Sequence, residues 1–150
     1  MTVAEGRTIE VRVPATSANL GPGFDTLGLA LSVYDDLTVE QLAGDALEIE
    51  VAGEGTADVP RDASHLVVRA MAHTYASVGR TLPGLRLTAH NVIPHGRGMG
   101  SSGAAVVAGI LAAKGLLEGE VVFSDVDLLR LATELEGHPD NVAPGLFGGL

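Results

Sequence analysis

Cysteine is absent from this sequence, aromatic residues make up only 3% of it, and Lys114 is its only lysine. Without cysteine the chain forms no disulfide bond and no thiolate metal site. No apolar run approaches the roughly 18 residues that a membrane span requires. The formal net charge is −10, which argues against nucleic acid as a partner, because binding it needs basic patches.

Length and composition predict one globular domain. The chain has 150 residues, of which 46% are hydrophobic and 19% are charged, and a chain of this length buries about 68–70% of its unfolded surface. The first residues, Met1–Arg7, include no apolar signal segment, so the sequence predicts a cytoplasmic protein. The last residues, Phe147–Leu150, have no polar tail, so we expect this chain to be part of a longer fold.

The most informative stretch is Pro94–Ala105, a glycine-rich turn that leads into a segment of small apolar residues. Three glycines in the turn give the backbone conformations that other residues avoid, and they let it approach a ligand closely. Ser101 and Ser102 stand where a helix is predicted to begin, and the first N–H groups of a helix have no partner within it. These groups carry the positive end of the helix dipole. The stretch therefore predicts a cradle for an anion such as a phosphate.

Several kinds of site are compatible with this stretch. A P-loop is not one of them, because it needs a lysine after the last glycine, where Ser101 stands. The letters Gly98-x-Gly100-x-x-Gly103 match a dinucleotide-binding fingerprint, with Val121–Phe123 as the next strand and Asp125 near its end. A glycine turn that caps a helix without a ligand is also consistent with the letters. The paired serines favour a further interpretation, in which a hydroxyl holds Mg²⁺ beside a phosphate.

Alternating apolar and polar residues predict an antiparallel sheet with one solvated face. The predicted strands are Thr8–Val13, Thr26–Val33, Thr38–Leu42, Leu47–Val51 and Leu85–His90. Pro14 is expected to end the first strand, because proline cannot donate to a strand ladder. A loop over Ala15–Asp25 is expected to follow, in which Asn19 and Asp25 are ordinary turn formers.

Three helices are predicted in the remaining sequence: about His65–Val78, Gly103 to about Leu117, and a third that begins at Ser124. Asp62 or Ser64 is the expected N-cap of the first helix, and Gly79 is its expected stop. In the third helix, Asp127 follows Ser124 by three residues, as in a variant of the capping box.

The segment Glu134–Asn141 holds four side chains that can bind a metal or move a proton within eight residues. A glycine and a proline end the third helix here, so Glu134 is expected on the last helical turn and His138, Asp140 and Asn141 in the loop beyond. Asp140 is also explained as a helix cap. A carboxylate at a helix C-terminus interacts unfavourably with the helix dipole. The presence of Glu134 there therefore favours a functional role for this side chain, such as holding a cation.

Three stretches together resemble the GHMP small-molecule kinases, and within them the homoserine kinases: Pro14–Asp25, Pro94–Ala105 and Glu134–Pro144. The resemblance covers about Thr8–Leu150 and only the N-terminal part of the family's length. It implies an α+β fold of the ribosomal protein S5 domain 2-like type, with a mixed or antiparallel sheet and helices packed on one face. Residues 1–150 would be the GHMP kinase N-terminal nucleotide-binding domain, without the C-terminal GHMP domain.

The activity that the resemblance implies is ATP-dependent phosphorylation of L-homoserine to O-phospho-L-homoserine, in threonine biosynthesis. Its Mg²⁺ ligands would be Ser102 and Glu134. Its homoserine contacts would be Asn19, Asp25, His138 and Asp140, and the catalytic residues at the reacting hydroxyl would be Asp140 and Asn141. The implied ATP-binding residues are Pro94, His95, Gly96, Arg97, Gly98, Met99, Gly100, Ser101, Ser102, Gly103 and Ala104.

The sequence departs from the family's pattern at three positions. His65 stands where the nucleoside pocket of the family commonly has asparagine. Met99 stands in place of the usual leucine, and Gly103 stands near the usual serine or alanine. We expect the changes at Met99 and Gly103 to be tolerated. The family's second domain closes the cleft and supplies arginines, so we expect these 150 residues alone to have little or no kinase activity. The alternatives are another GHMP kinase, acting on mevalonate or a sugar, and a dinucleotide-binding domain. The implied partners are small molecules, and a homodimer stays open.

Overall fold

The computed structural model describes residues 7–18, 28–53, 62–91 and 101–136, and it describes only the backbone of residues 15–18, 28–33 and 101–102. The described residues form four strands and three helices. In chain order these are β1 Thr8–Ala18, β2 Gly28–Leu42, β3 Leu47–Gly53, α1 Leu66–Ser77, β4 Gly84–Asn91, α2 Ser101–Leu116 and α3 Asp125–Glu136. None of these helices combines the length and the apolarity of a membrane span.

The four strands form one mixed sheet in the order β1-β2-β4-β3. The β1–β2 and β2–β4 pairs are antiparallel, whereas β3 and β4 are parallel. A parallel pair needs a crossover connection, and α1 lies between these two strands in the chain. The mixed sheet that the family resemblance allowed is confirmed, whereas the wholly antiparallel sheet predicted from the alternation is wrong for the β3–β4 pair.

Side chains on one face of the sheet are buried or partly buried, and those on the other face are exposed or partly exposed. The inward residues include Val13, Val39, Leu85 and Leu87, all at 1% exposure or less. The outward face carries ion pairs such as that between Arg12 Nε and Asp36 Oδ1, at 2.8 Å. Exposed pairs of this kind contribute little to stability. The core therefore lies between the sheet and the helices, as the alternation in the sequence predicted.

The prediction that Pro14 ends the first strand is wrong. β1 continues to Ala18 and pairs Pro14 with Tyr34, with a shift in register between Pro14 and Thr16. β1 is an edge strand, and an edge strand tolerates proline because one row of its backbone groups has no ladder partner. The two strands predicted over residues 26–33 and 38–42 also form one strand, β2.

The N-cap of α1 is His65, not the predicted Asp62 or Ser64. The N–H of Val67 donates to His65 Nδ1 at 3.1 Å. The Asp62 carboxylate instead accepts from the hydroxyl and the backbone N–H of Ser64, and these bonds lower its pKa. A histidine ring nitrogen thus accepts the hydrogen bond that a side-chain oxygen usually accepts at this position. The prediction was wrong because it considered only the residue types that are commonly preferred as N-caps.

α2 is the helix that packs most closely against its neighbours. A Cβ added to Gly109 would lie 2.6 Å from the carbonyl oxygen of Val67 and 2.7 Å from the Ala70 Cβ, both in α1. One added to Gly115 would lie 2.9 Å from the end of the Ile9 side chain in β1. Small residues in α2 thus allow this helix to contact both α1 and the sheet. The helix begins at Ser101, two residues before its predicted start.

The predicted cap of α3 is confirmed. The N–H of Asp127 donates to Ser124 Oγ at 3.1 Å, and the N–H of Ser124 donates to Asp127 Oδ2 at 3.0 Å. The bond from the Ser124 N–H, followed by the interaction with the Ser124 side chain, holds the pKa of the Asp127 carboxyl below its usual value. The strand considered at Val121–Phe123 is not formed, and the Val122 side chain is 94% exposed. The context that the dinucleotide fingerprint requires is therefore missing.

Candidate functional site

The ends of β1, β3 and β4 and the start of β2 all face the same side of the sheet. The last residue of β1, Ala18, pairs with the first residue of β2, Gly28. β4 runs antiparallel to β2 and ends farther back, beside Asp36, which is eight residues along β2 from Gly28. β3 is parallel to β4, and Gly53 pairs with Asn91 at their common C-terminal end.

The N-terminus of α2 points toward this end of the sheet. Its C-terminus is fixed at the other end, because Arg7 Nη1, just before β1, donates to the carbonyl oxygen of Leu116 at 2.7 Å. Gly115 also packs on Ile9, near the start of β1. A helix of 16 residues is about 24 Å long, so Ser101 lies about that far from the fixed end.

α3 packs against α2 and, less extensively, against α1. It follows α2 after a connection of eight residues, 117–124. The last turn of α3 contacts α1 through Glu134.

These ends flank the three segments that carry the predicted site. Asn19 and Asp25 fall between β1 and β2, the residues Pro94–Gly100 between β4 and α2, and His138, Asp140 and Asn141 after α3. All of these predicted site residues lie outside the described residues. The fold thus makes the ends of β1 and β4, which are far apart in sequence, face the same side of the sheet, which the sequence alone did not predict.

Of the predicted anion cradle, the structure describes the first turn of α2. The backbone is helical from Ser101 onward, and Gly103 and Ala104 are buried. This turn contains no acidic side chain, whereas the first turn of α3 contains two, Asp125 and Asp127. The positive end of the α2 dipole is therefore not neutralised by an acidic residue of its own first turn, which favours an anion there.

Glu134 lies on the last turn of α3, as predicted, and its carboxylate contacts α1. Glu134 Oε1 is 2.8 Å from His73 Nε2, and both side chains are partly exposed, at 47% and 36%. An ionised carboxylate only accepts hydrogen bonds, so the imidazole N–H donates. His73 was not among the predicted site residues, since no sequence signal relates it to a residue 61 positions away.

His65, at the position that departs from the family's pattern, is almost fully buried, at 4% exposure. Because its Nδ1 accepts the N–H of Val67, a neutral His65 carries its proton on Nε2. The described residues contain no group of three or more histidine, aspartate or glutamate side chains placed to hold a metal ion.

Comparison with known proteins gives a family match over much of the chain. Residues 65–149 match the model described as the GHMP kinases N terminal domain. A homoserine kinase from Clavibacter michiganensis is 63% identical over 148 residues, which are 99% of this chain and 47% of that protein. The chain spans about half the length of the curated relatives it matches.

Solved structures show the same fold. The homoserine kinase from Cytophaga hutchinsonii superposes with a TM-score of 0.75 at 32% identity, over 93% of this chain and 46% of that one. The mevalonate kinase from Methanococcus jannaschii superposes with a TM-score of 0.72 at 15% identity, over 96% of this chain and 52% of that one. At 15% identity the likeness is one of fold only.

Proposed function

We propose, on the premise that this chain belongs to the GHMP kinase family, that it is the N-terminal part of an enzyme that phosphorylates L-homoserine with ATP. The observation that carries the proposal is that the ends of β1 and β4 and the start of α2 all face one side of the sheet. The identity of 63% to a homoserine kinase supports homoserine over mevalonate as the substrate, since the mevalonate kinase shares only the fold.

The phosphates of ATP would bind at Pro94–Ala104, with the first N–H groups of α2 as donors. No acidic side chain stands in the first turn of α2 to repel them. The chain carries a net charge of −10, so an anionic ligand needs this local compensation. Backbone donors of this kind hold phosphates in place before the reaction begins, which is the main contribution that a protein makes to phosphoryl transfer.

A magnesium ion would be held by the Ser102 hydroxyl and the Glu134 carboxylate. Both are hard oxygen donors, and Mg²⁺ is commonly bound by one or two protein oxygens together with substrate phosphates. The donor chemistry therefore fits the ion. When bound, Mg²⁺ would neutralise charge on the transferring phosphate.

Homoserine would bind between the segments that follow β1 and α3. Asp25 and Asp140 would pair with its ammonium group, Asn19 and His138 would orient it, and Asn141 would lie near the reacting hydroxyl. We assign Asp140 a positioning role in preference to that of a general base, because an ordinary ionised aspartate is a weak base at neutral pH.

The remaining parts of the proposal concern the cellular role. The product would be O-phospho-L-homoserine, an intermediate of threonine biosynthesis, and the reaction would take place in the cytoplasm. The other ligands would be ATP and Mg²⁺, and a homodimer is compatible with this role. Residues 1–150 would form the nucleotide half-site. The second domain would correspond to the part of the relatives' sequences that this chain does not span.

Joining the chain to the C-terminal half of the Clavibacter michiganensis relative tests the proposed function. We expect this chimera to phosphorylate homoserine, with mevalonate turned over at least 100-fold more slowly, because a site built to pair a substrate's polar groups rejects analogues that lack them. Phosphate transfer is measured with both substrates by coupling ADP release to a spectrophotometric signal. The 150-residue chain alone is expected to show little or no turnover.

Two outcomes would contradict the proposal. Preferential turnover of mevalonate by the chimera would assign the site to another GHMP kinase. Rapid turnover of homoserine by the 150 residues alone would disprove the assignment of this chain as a half-site.

A further inference from the structure

We propose that His65 makes the start of α1 sensitive to pH: its neutral imidazole caps the first turn of the helix, and protonation of the ring removes this cap. The inference gives a role to a buried histidine to which neither the sequence motifs nor the comparisons assign one. It does not depend on the proposed reaction, so that either can fail while the other stands.

The cap is one hydrogen bond from the backbone of Val67 to the side chain of His65. The Val67 N–H donates to His65 Nδ1 at 3.1 Å, within the normal range for an N–H donor. It thereby satisfies one of the backbone N–H groups that have no partner within the helix. A doubly protonated imidazole carries a proton on each nitrogen and accepts no hydrogen bond. The cap therefore exists only while His65 is neutral.

The position and the burial of His65 both oppose a positive charge on its ring. His65 is the N-cap residue of α1, and the N-terminus is the positive end of the helix dipole. The first turn of α1 contains no acidic side chain that could offset a cation there. The residue is only 4% exposed, and burial disfavours the charged form of a histidine. Protonation thus removes an acceptor and places a cation where the surroundings disfavour it.

The charged groups around the described part of α1 are engaged elsewhere or lie on its exposed side. Before the helix, the Asp62 carboxylate accepts from the N–H and the hydroxyl of Ser64. Within the helix, Arg69 is exposed. From α3, the Glu134 carboxylate contacts His73, about two turns beyond His65.

The elements packed against the other sides of α1 bring few charges. α2 has no titratable side chain from 103 to 113, and Lys114 is exposed. Arg7, just before β1, donates to the C-terminal end of α2. Asp35 of β2 is paired with the buried Val13 and therefore lies on the core face of the sheet. A carboxylate favours a protonated imidazole by its charge, but it does not restore the lost acceptor nitrogen.

Loss of the cap affects packing, because the first turn of α1 contacts α2. A Cβ added to Gly109 of α2 would lie 2.6 Å from the carbonyl oxygen of Val67, the residue whose N–H is capped. The stability that neutral His65 contributes is fully present above the ordinary histidine pKa of about 6.5. It is lost as the pH falls below that value, because the unfolded chain then binds a proton that the folded chain disfavours.

Replacing His65 by asparagine separates capping from titration. Asparagine is among the best N-cap residues, and its side-chain oxygen remains an acceptor at every pH in this range. Lowering the pH from about 8 to about 5 should therefore lower the midpoint of thermal unfolding of the unaltered chain more than that of His65→Asn. The expected difference is roughly 4–8 °C for a chain of this size.

The test follows thermal unfolding of the whole 150-residue chain by circular dichroism at several pH values in this range. His90→Asn is the matched control, because it makes the same substitution at an exposed position of β4. We expect its midpoint to stay within about 2 °C of that of the unaltered chain at each pH. If the midpoints of the unaltered chain and of His65→Asn fall in parallel as the pH is lowered, the pH-sensitive cap is disproved.

A second measurement needs no variant. Long-range ¹H–¹⁵N correlation spectra of the unaltered chain show which ring nitrogen of each histidine carries a proton. We expect His65 to carry its proton on Nε2 near neutral pH, and to stay neutral after the exposed His90 has taken up its second proton. A proton on His65 Nδ1 near neutral pH, or protonation of His65 together with His90, would overturn the inference even if His65→Asn fails to fold.

Discussion

Replacing Asp140 by asparagine in the chimera is expected to raise the KM for homoserine about 10- to 100-fold and to lower kcat by a smaller factor. In the proposed site the Asp140 carboxylate pairs with the substrate ammonium group. A hydrogen bond between charged groups contributes about 1.5–3 kcal/mol, which corresponds to this range of affinity. Asparagine has nearly the same shape and removes only the charge, so the change isolates the electrostatic contribution.

Steady-state kinetics at varied homoserine and saturating ATP separate KM from kcat. Asp125→Asn is a matched control, because it removes a carboxylate from the exposed first turn of α3, and it should leave both constants unchanged. A large fall in kcat with an unchanged KM for homoserine would instead identify Asp140 as the general base.

The second large effect concerns stability. Gly109→Ala is expected to lower the free energy of unfolding by about 1–3 kcal/mol, the usual cost of overpacking a core, although alanine is the better helix former. The added Cβ would lie 2.6 Å from a backbone carbonyl oxygen in α1, and backbone atoms cannot move aside as a side chain can. For a chain of this size the midpoint of thermal unfolding should fall by roughly 2–10 °C.

Gly115→Ala provides the control for this measurement. It makes the same chemical change in the same helix, but the new Cβ would meet side-chain atoms of Ile9, the nearest at 2.9 Å, and not a backbone atom. A side chain can shift more easily than a backbone carbonyl, so we expect its thermal midpoint to fall less than that of Gly109→Ala. Equal destabilisation by both variants would contradict the close contact between α1 and α2.

Much of the fold could be predicted from local patterns. Alternation located the strands that include Leu47–Val51 and Leu85–His90, because the sheet buries only one of its faces. The capping box at Ser124 and Asp127 was also correct, since both partners lie within four residues. In each case the physical cause of the structure is contained in a short window of sequence.

The incorrect or missing predictions concern contacts between residues that lie far apart in the sequence. Pro14 is compatible with a strand only because β1 is at the edge of the sheet, and strand order is a property of the whole fold. The parallel pairing of β3 with β4 likewise depends on the crossover through α1. The contact between His73 and Glu134 joins residues 61 positions apart, so neither residue's neighbours in sequence predict it.

The central claim is that the start of α2 belongs to a magnesium-dependent ATP site, and calorimetric titration of the 150-residue chain tests it most directly. A non-hydrolysable ATP analogue is titrated with and without Mg²⁺, and NAD is titrated in parallel. We predict that the analogue binds only with Mg²⁺, that Ser102→Ala weakens this binding, and that NAD does not bind. Binding of NAD without dependence on Mg²⁺ would contradict the account and restore the dinucleotide-binding alternative.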